Sequence, residues 1–266
     1  MFFRIILFGL LVTSCVTKKE YKRPNYINFE QVNDSIFVIL NNSILAPTFL
    51  TIEDLKKNKT VFVDFNSPKE FTILKFHESE TDTIAIDKNY RFKLQYGSSY
   101  AKPYDTLYNY GLPFLKGKRY KVLQGNNGSY SHRKITSKYA IDFKMNVGEG
   151  VCAVRDGLVI QTKSDSNEGG TTKKYMDKAN KILVVHKDGT FVQYAHFKQD
   201  GVLVKKGDSI KKGQLIGYSG NTGFSSEPHL HFVLYASSKE GLVSVPFILN
   251  SVPSQEYKKG NYAKNK

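Results

Sequence analysis

The sequence predicts a mainly β protein with two β-rich halves, and three observations support this. Between residues 26 and 110, short runs of β-branched and aromatic residues recur at intervals of roughly 8 to 12 residues, separated by polar turns. Beyond residue 112, further runs of this kind alternate with Gly-rich turns. The 266 residues include 18 Phe and 17 Tyr, which is enough apolar material for the cores of two ordinary domains.

The first half predicts an N-terminal β-sandwich over residues 26–111. Its strand candidates are SIFVIL, TVFVDF, EFTILKF, DTIAI and YRFKLQY. The stretch TIEDLKKN is expected to form a short helix or a turn with Thr51 as N-cap. His77 stands alone on a predicted strand, where a surface or structural role is expected. No motif in this half indicates catalysis.

The second half predicts another β-rich domain, over residues 112–250. A Gly-, Pro- and Lys-rich stretch, GLPFLKGKRYKVLQGNNGS, is expected to be a linker that runs into it. The turn HKDGT, which contains His186 as a structural residue, joins KILVVH to FVQYAHF as a hairpin. The polar stretch SDSNEGGTTKKYMDKAN is long enough to be a functional or mobile loop.

Two segments of this half resemble each other. NVGEGVCAV…DGLVI and VKKGDSIKKGQLIG both place a Gly-acid turn before a short apolar run and end on Gly-x-x-Ile or Gly-x-Leu-Ile. This similarity indicates a duplicated, barrel-like β unit. The tail, residues 251–266, is basic and is expected to be disordered.

The amino-terminal segment MFFRIILFGLLVTSC resembles a bacterial lipoprotein signal. A basic Arg4 precedes an apolar segment too short to span a bilayer comfortably, and a Val-Thr-Ser-Cys sequence follows. The resemblance implies a signal peptide at residues 1–14, a lipid-modified Cys15 and a tether over residues 15–25. The alternative is a plain signal peptide with an incidental cysteine. Cys152 is then the remaining thiol and is expected to be a buried, inert strand residue.

The formal net charge of +15 arises from 39 Lys and Arg against 24 Asp and Glu. Such a balance usually indicates nucleic acid or an anionic surface as partner. An exported, anchored protein does not normally meet nucleic acid, so the charge favours an acidic envelope polymer or a membrane surface. A solvated lysine face is the simpler alternative.

The stretch PHLHF places two histidines two residues apart on a predicted strand. Side chains of a strand alternate between faces, so His229 and His231 share one face while Leu230 and Phe232 face the core. The two imidazoles are about 7 Å apart at the backbone and can converge on one point. The pair is therefore a candidate metal or catalytic site.

The same domain supplies further groups that a metal site requires. A catalytic zinc takes three protein ligands, commonly two neutral histidines and one carboxylate, and keeps one position for water. Asp142, in KYAIDF, is the candidate carboxylate because its strand neighbours are apolar. His132 in GSYSHRK and His196 at the end of FVQYAHF are further candidates. Spacing alone does not distinguish His229 from His231 as ligand.

These motifs, taken in order, resemble the lysostaphin-type, or LytM-like, zinc endopeptidases of peptidoglycan. The resemblance covers about Leu112 to Tyr235 and rests on an ordered set of motifs, namely SH, YAIDF, VGEGVCAVRDGLVI, KILVVHKDGTFVQYAHF, VKKGDSIKKGQLIGYSGNTG and PHLHF. It implies a compact antiparallel β fold with its site in a groove across one sheet.

The resemblance also implies the residue roles. It makes His132, Asp142 and His231 the ligands of one Zn²⁺ per chain, and His196 and His229 unligated catalytic histidines. Compact members of the family place the first histidine four residues before the aspartate, where this sequence has Lys138. A protonated lysine is a poor ligand, so the site depends on His132, which lies at the end of a longer loop.

The predicted function is hydrolysis of peptide cross-links of bacterial peptidoglycan by a zinc-activated water. The expected location is the cell envelope, with a lipid anchor in a periplasmic or outer-membrane setting. One alternative is a catalytically silent member of the same fold that binds or activates a cell-wall hydrolase. Another is a β-sandwich binding lipoprotein whose histidines are incidental. Peptidoglycan peptides and the membrane are the expected partners; the sequence does not indicate an oligomeric state.

Overall fold

The computed structural model describes residues 21–266, and this part of the chain is mainly β as the sequence predicts. The predicted signal peptide, Cys15 and the first part of the predicted tether lie outside the described residues. Within residues 21–266, no helix is both long enough and apolar enough to cross a membrane.

The first half consists of two three-stranded antiparallel sheets, ordered β1-β2-β5 and β4-β3-β6. Its elements are β1 Ile27–Val32, β2 Ser35–Asn42, β3 Thr48–Asp54, β4 Lys59–Phe65, β5 Lys69–His77, helix α1 Thr83–Asn89 and β6 Tyr90–Tyr96.

The two sheets share one apolar cluster. Val38 and Leu40 of β2 lie in the same cluster as Leu50 and Ile52 of β3, with Ile86 of α1 completing it. The sheets therefore pack face to face, which is the arrangement of a β-sandwich. The limits of this half as a domain, residues 26–111, stay a prediction.

One strand prediction in this half is wrong. DTIAI lies at the start of helix α1, because the side chain of Asp82 accepts a hydrogen bond from the backbone N–H of Ala85 at 2.7 Å and caps the helix. The helix then buries Ile86 against the sandwich. A local cap and one core contact thus override the β propensity of the run.

The helix-or-turn prediction for TIEDLKKN is correct only for its second part. Thr51 is not an N-cap, because it lies within β3 and pairs with Phe62 of β4. The residues after Asp54 form the hairpin turn, where Asn58 takes a positive φ of 48°. Asparagine tolerates this conformation better than most residues.

The second half is built around an 11-stranded sheet. Its elements are β7 Asn109–Tyr110, β8 Arg119–Gln124, β9 Ile141–Phe143, β10 Gly150–Cys152, β11 Gly157–Lys163, β12 Gly169–Gly170, a 3₁₀ helix Lys173–Lys178, β13 Asn180–Val185, β14 Phe191–Val202, β15 Ser209–Ile210, β16 Leu215–Ser219, β17 Gly223–Phe224, β18 Leu230–Ser238, β19 Gly241–Ser244, β20 Ile248–Leu249, β21 Val252–Pro253, a 3₁₀ helix Ser254–Glu256 and β22 Tyr262–Lys264.

The main path of this sheet runs β15-β11-β13-β14-β18-β9-β8-β22. Strands β13 and β14 form the hairpin predicted around HKDGT. Cys152 is buried in β10, as predicted, and burial raises the pKa of its thiol.

The two similar segments adopt similar structures. In each, the acidic side chain of the turn accepts a hydrogen bond from a backbone N–H three residues earlier, Glu149 from Asn146 at 2.6 Å and Asp208 from Lys205 at 2.9 Å. The glycine before each acid has a positive φ. The strands that follow pair crosswise, β10 with β16 and β11 with β15. This exchange is the arrangement expected of a duplicated unit.

The stretch predicted to be a linker is part of the second half. Leu112 and Phe114 are buried in its core, and β8 belongs to its sheet. The connection without regular structure instead covers residues 97–108. The apolar residues of the stretch decide its placement despite the glycines and lysines around them.

The prediction of a disordered tail is wrong. Strand β22 pairs with β8 along the edge of the sheet, and Tyr257 and Ala263 are buried in the core. The tail is ordered because it satisfies the backbone groups of an edge strand and contributes two apolar anchors. The lysines between Tyr257 and Ala263 make the segment look uniformly polar in the sequence.

The two halves contact each other through a third apolar cluster. Leu45 and Ala46 of the β2–β3 connection and Tyr96 of β6 pack with Val233 and Tyr235 of β18. The side chain of Gln95 also donates to the carbonyl of Glu240 at 2.8 Å. Residues 229, 231, 233 and 235 share one face of the sheet, so the sandwich packs on the face that also carries the histidine pair.

Candidate metal and catalytic site

A groove crosses the sheet beside the sandwich and encloses about 1110 Å³. Asp142, Ala195 and His231 form part of its floor. Its walls come from residues 123–139, 173–179, 224–229 and 255–259. The long polar loop predicted after β11 thus contributes one wall.

Asp142 and His231 face each other across neighbouring strands. They are directly paired in the antiparallel register of β9 and β18, and His231 Nδ1 lies 2.8 Å from Asp142 Oδ1. The flanking residues of both strands point into the core, as the alternation predicts. The register alone therefore brings a carboxylate and an imidazole together.

His132 reaches the same point from the loop between β8 and β9. It is fully buried, its Nδ1 donates to the carbonyl of Gly125 at 2.9 Å, and its Nε2 lies 3.2 Å from Asp142 Oδ2. Lys138, which stands four residues before the aspartate, is exposed. One ligand atom from each of His132, Asp142 and His231 lies within 4.8 Å of the others.

The geometry of this cluster fits a divalent metal. The hydrogen bond to Gly125 leaves the Nε2 of a neutral His132 with a lone pair, and this buried atom has no hydrogen-bond partner. It instead faces Asp142 Oδ2, and this contact raises the pKa of His132 although burial opposes the charge, so either a proton or a bound cation between the two atoms removes their repulsion. Two nitrogens and one oxygen are the ligand set that zinc takes in catalytic sites.

The ionisation of Asp142 and His231 agrees with this geometry. Burial opposes the charge on Asp142, but contacts with His132 and His231 outweigh it and hold the pKa of the carboxyl well below its ordinary value. Burial lowers the pKa of His231 more than Asp142 raises it. An ionised aspartate beside a neutral imidazole is the state in which both are ligands.

His229 lies next to this cluster without joining it. Its Nδ1 is 2.8 Å from the carbonyl of Glu227 and 3.1 Å from the hydroxyl of Ser225. Its Nε2 is 3.9 Å from Asp142 Oδ1. Because the backbone carbonyl accepts the Nδ1 proton, Nε2 of the neutral ring presents a lone pair to the groove.

His196 enters the groove through a β-bulge. In the pairing of β13 with β14, Asn180 pairs with Phe197 and Lys181 with Ala195, so His196 is the extra residue and has a φ of +71°. Strict alternation would turn His196 toward the core; the bulge turns it to the groove and Phe197 to the core.

The ring of His196 is held against His229. Its Nδ1 donates to the carbonyl of Thr222 at 2.5 Å, and the two ring centroids are 4.4 Å apart. Burial, and then the charges of His229 and His231, lower the pKa of His196 to about 3. A neutral ring with its Nε2 lone pair in the groove follows.

Gln124, the last residue of β8, is a site residue that the sequence did not indicate. Its amide nitrogen donates to Asp142 Oδ2 at 3.1 Å and to the hydroxyl of Ser131 at 2.8 Å. Its carbonyl oxygen accepts from the backbone N–H groups of Tyr130 and Ser131. One side chain thus connects the aspartate to the loop that carries His132.

Gly125 is a second residue without a sequence signal. Its carbonyl holds His132, and a Cβ at this position would lie 1.9 Å from the carbonyl oxygen of Tyr257. The C-terminal segment therefore packs directly on the backbone that orients the buried histidine.

The two other described histidines lie outside the groove. His77 is exposed and contacts Asp34 at 3.0 Å, as a surface residue is expected to do. His186 is buried, and its Nδ1 donates to the carbonyl of Asp156 at 2.8 Å. Burial lowers the pKa of His186 to about 4, which agrees with the predicted structural role.

This fold and groove define a β protein with a candidate metal-hydrolase site. Residues 136–242 match the family model described as Peptidase family M23, which agrees with the LytM-like resemblance of the sequence. The matched range includes Asp142, His196, His229 and His231. It begins four residues after His132.

The chain is similar to curated endopeptidases. It is 42% identical over 95 residues to the glycyl-glycine endopeptidase ALE-1 of Staphylococcus capitis, covering 35% of this chain and 23% of that protein. It is 30% identical over 127 residues to the peptidoglycan DD-endopeptidase ShyA of Vibrio cholerae, covering 47% and 26%. The chain thus spans about a quarter of the length of these relatives.

Among solved structures, the chain is similar to the catalytic domain of the antimicrobial peptidase lysostaphin from Staphylococcus simulans. The identity is 28%, the TM-score is 0.34, and the match covers 48% of this chain and 87% of that one.

Proposed function

We propose that this protein is a zinc-dependent endopeptidase that hydrolyses peptide cross-links of bacterial peptidoglycan. The convergence of His132, Asp142 and His231 within 4.8 Å, at the floor of a groove that also holds two further histidines, carries the proposal. The names of the relatives, a glycyl-glycine endopeptidase and a peptidoglycan DD-endopeptidase, support the substrate class.

In this proposal, His132, Asp142 and His231 hold one zinc ion per chain. Bound zinc would polarise the scissile carbonyl and lower the pKa of a water toward neutrality. The fixed hydrogen bonds of the protein set the ligand orientation: Gly125 holds His132, and Gln124 holds Asp142.

His229 and His196 would move the protons of the reaction. Each donates Nδ1–H to a backbone carbonyl, so each offers Nε2 as the proton acceptor. One would accept the proton of the attacking water at Nε2 and then deliver the same proton to the leaving amine. The other would stabilise the oxyanion only when its own Nε2 carries a proton. Each role is typically worth about 10²- to 10⁴-fold in rate.

The main alternative is a silent member of the fold that binds or activates another hydrolase. A silent domain has no need for a complete ligand set or for two additional histidines held with Nε2 toward the groove. The presence of all five groups supports an active enzyme.

The test is digestion of purified sacculi with the full chain, followed by mass spectrometry of the muropeptides. We expect about one zinc per chain, release of new peptide amines, loss of activity with chelator and recovery with added zinc. Bound zinc without cleavage of any sacculus would favour the activator instead.

We also propose that the protein is anchored in the cell envelope through a lipid on Cys15. The support is the sequence of residues 1–15, whose structure is not described. Palmitate labelling of cells should be lost in Cys15→Ala; unchanged labelling would contradict the anchor.

A further inference from the structure

The groove is lined by more positive charge than its own carboxylates balance. Six cationic side chains line it, contributed by three separate segments: Arg133, Lys134, Lys138, Lys173, Lys258 and Lys259. Two carboxylates line it, Asp142 and Glu227. Asp142 belongs to the histidine cluster, and Glu227 is paired with Lys144 at 2.9 Å.

None of these six cations has an ion-pair partner among residues 21–266. The lysines that pair elsewhere on the described surface do so with neighbouring carboxylates, for example Lys178 with Glu168 and Lys211 with Asp156. The groove therefore concentrates unpaired positive charge beside the candidate catalytic residues.

The backbone of these segments is well anchored. Lys258 and Lys259 lie between Tyr257, whose hydroxyl donates to the carbonyl of Leu249 at 2.7 Å, and Gly260, whose N–H donates to the carbonyl of Val122 at 2.9 Å. Short, hydrogen-bonded connections at both ends hold the two lysines at the groove wall.

The loop that carries His132 is anchored in the same way. The N–H of Lys138 donates to the carbonyl of Lys134 at 2.8 Å, and its own carbonyl accepts from the N–H of Asn127 at 2.9 Å. The backbone that carries these cations is therefore held beside the groove, where their side chains are exposed.

An apolar surface accompanies the charges. The rings of Tyr130 and Phe224 stack with centroids 5.5 Å apart and planes 3° apart, and both line the groove. Tyr130 is 55% exposed. A ligand that matches this lining has carboxylates together with apolar side chains, which describes an acidic peptide better than a phosphate polymer.

We infer that the groove selects cross-linked peptides whose residues carry free carboxylates over the same peptides with those carboxylates amidated. This inference rests on the proposed function for the reaction, but it concerns binding and can be tested without hydrolysis.

The experiment measures binding of two fluorescent peptide dimers to the full chain in chelator, where no cleavage is expected. The dimers have one sequence, with side-chain carboxylates free in one and converted to carboxamides in the other. Each exposed ion pair contributes a small binding free energy, and several together should give about tenfold tighter binding of the acidic dimer at low salt. The preference should shrink in about 0.5 M salt, where the screening length is a few ångströms.

The variant Lys258→Ser/Lys259→Ser should lose most of this preference. The matched control Lys116→Ser/Lys118→Ser removes the same charge from exposed residues that do not line the groove and should keep the preference. Equal binding of both dimers would overturn the inference, and so would an equal loss in the control variant.

Two further outcomes separate this inference from the proposed function. If the preference is present but no sacculus is cut, the proposed function fails and the inference stands. If a phosphodiester polymer competes as strongly as the acidic dimer, the surface is a general polyanion site and the inference fails.

Discussion

At the scale of single residues, the site combines positions that strand alternation explains with positions that it does not. Asp142, His229 and His231 follow from the period of two, because their strand neighbours are core residues. His196 reaches the groove only through a bulge with φ +71°. An outlier of this kind at a functional site is a cost that the rest of the fold offsets.

The positive φ at residue 196 predicts how substitutions there change the free energy of unfolding. His196→Gly should be more stable than His196→Ala by about 0.5–1 kcal/mol, because glycine avoids the penalty of a positive φ and this gain exceeds its extra entropy in the unfolded chain. Both variants should lose turnover. Urea unfolding of the two proteins checks the sign; a more stable alanine variant would contradict the bulge.

Gln124 gives a prediction on metal affinity. Gln124→Ala should weaken zinc binding by about 10- to 100-fold, because Asp142 loses its amide donor and the His132 loop loses its connection to β8. Gln193→Ala is the matched control, since Gln193 lines the groove and its side chain makes no hydrogen bond to His132, Asp142 or His231. Competition with a chromophoric chelator measures both. Equal affinities in the two variants would remove Gln124 from the site.

At the scale of elements, the sequence predicts most strands but not the features that depend on contacts distant in sequence. The hairpin of β13 and β14 and the pair of similar segments follow from local patterns. Helix α1 replaces a predicted strand because a single capping side chain and a buried Ile86 decide it. Strand β22 was missed because its partner, β8, is more than a hundred residues away.

The residues of the site divide in the same way between local patterns and contacts distant in sequence. The resemblance assigned roles to five residues. The structure brings Asp142, His196, His229 and His231 to one groove, and His132 lies buried behind it within reach of Asp142 and His231. Gln124 and Gly125 carry no motif, and their importance arises from a loop that folds back on β8. Their role can be predicted only from the contacts of Gln124 and Gly125 in the folded chain.

The contact between the C-terminal segment and the His132 loop gives a prediction at this scale. In Gly125→Ala the new methyl group would overlap the carbonyl of Tyr257, so the backbone must move and the orientation of His132 must change. We expect a loss of about 1–3 kcal/mol in stability together with weaker zinc binding.

A matched control for this change is available in the β13–β14 turn. Gly189→Ala places a methyl group in open space, but at a φ of 81°. It should cost about 1–2 kcal/mol in stability from strain alone and leave zinc affinity unchanged. If Gly125→Ala affected stability without affecting zinc, the C-terminal segment would have no part in the site.

At the scale of the whole molecule, the sandwich and the groove share one face of the large sheet. The sandwich covers Val233 and Tyr235, while no residue before Leu123 lines the groove in the part of the chain that the structure describes. This arrangement favours a supporting role for the sandwich over occlusion of the groove.

A truncated chain tests that arrangement. Residues 112–266 alone should be less stable and prone to associate, because an apolar face that includes Val233 and Tyr235 becomes exposed. Turnover per folded molecule should not rise. Tyr96→Ala in the full chain is a milder change, because it removes only a ring packed near Phe191. Like the truncation, it should lower the melting temperature. Faster hydrolysis by either protein would instead indicate occlusion.

In the proposed function, the two histidines of PHLHF have different roles: His231 binds zinc and His229 transfers a proton. Zinc per chain, measured by mass spectrometry of metals after gel filtration, tests this division of roles in His229→Ala and His231→Ala side by side. We expect His229→Ala to keep about one zinc and lose turnover, and His231→Ala to lose the zinc. A filled site in His231→Ala together with an empty site in His229→Ala would contradict the assignment.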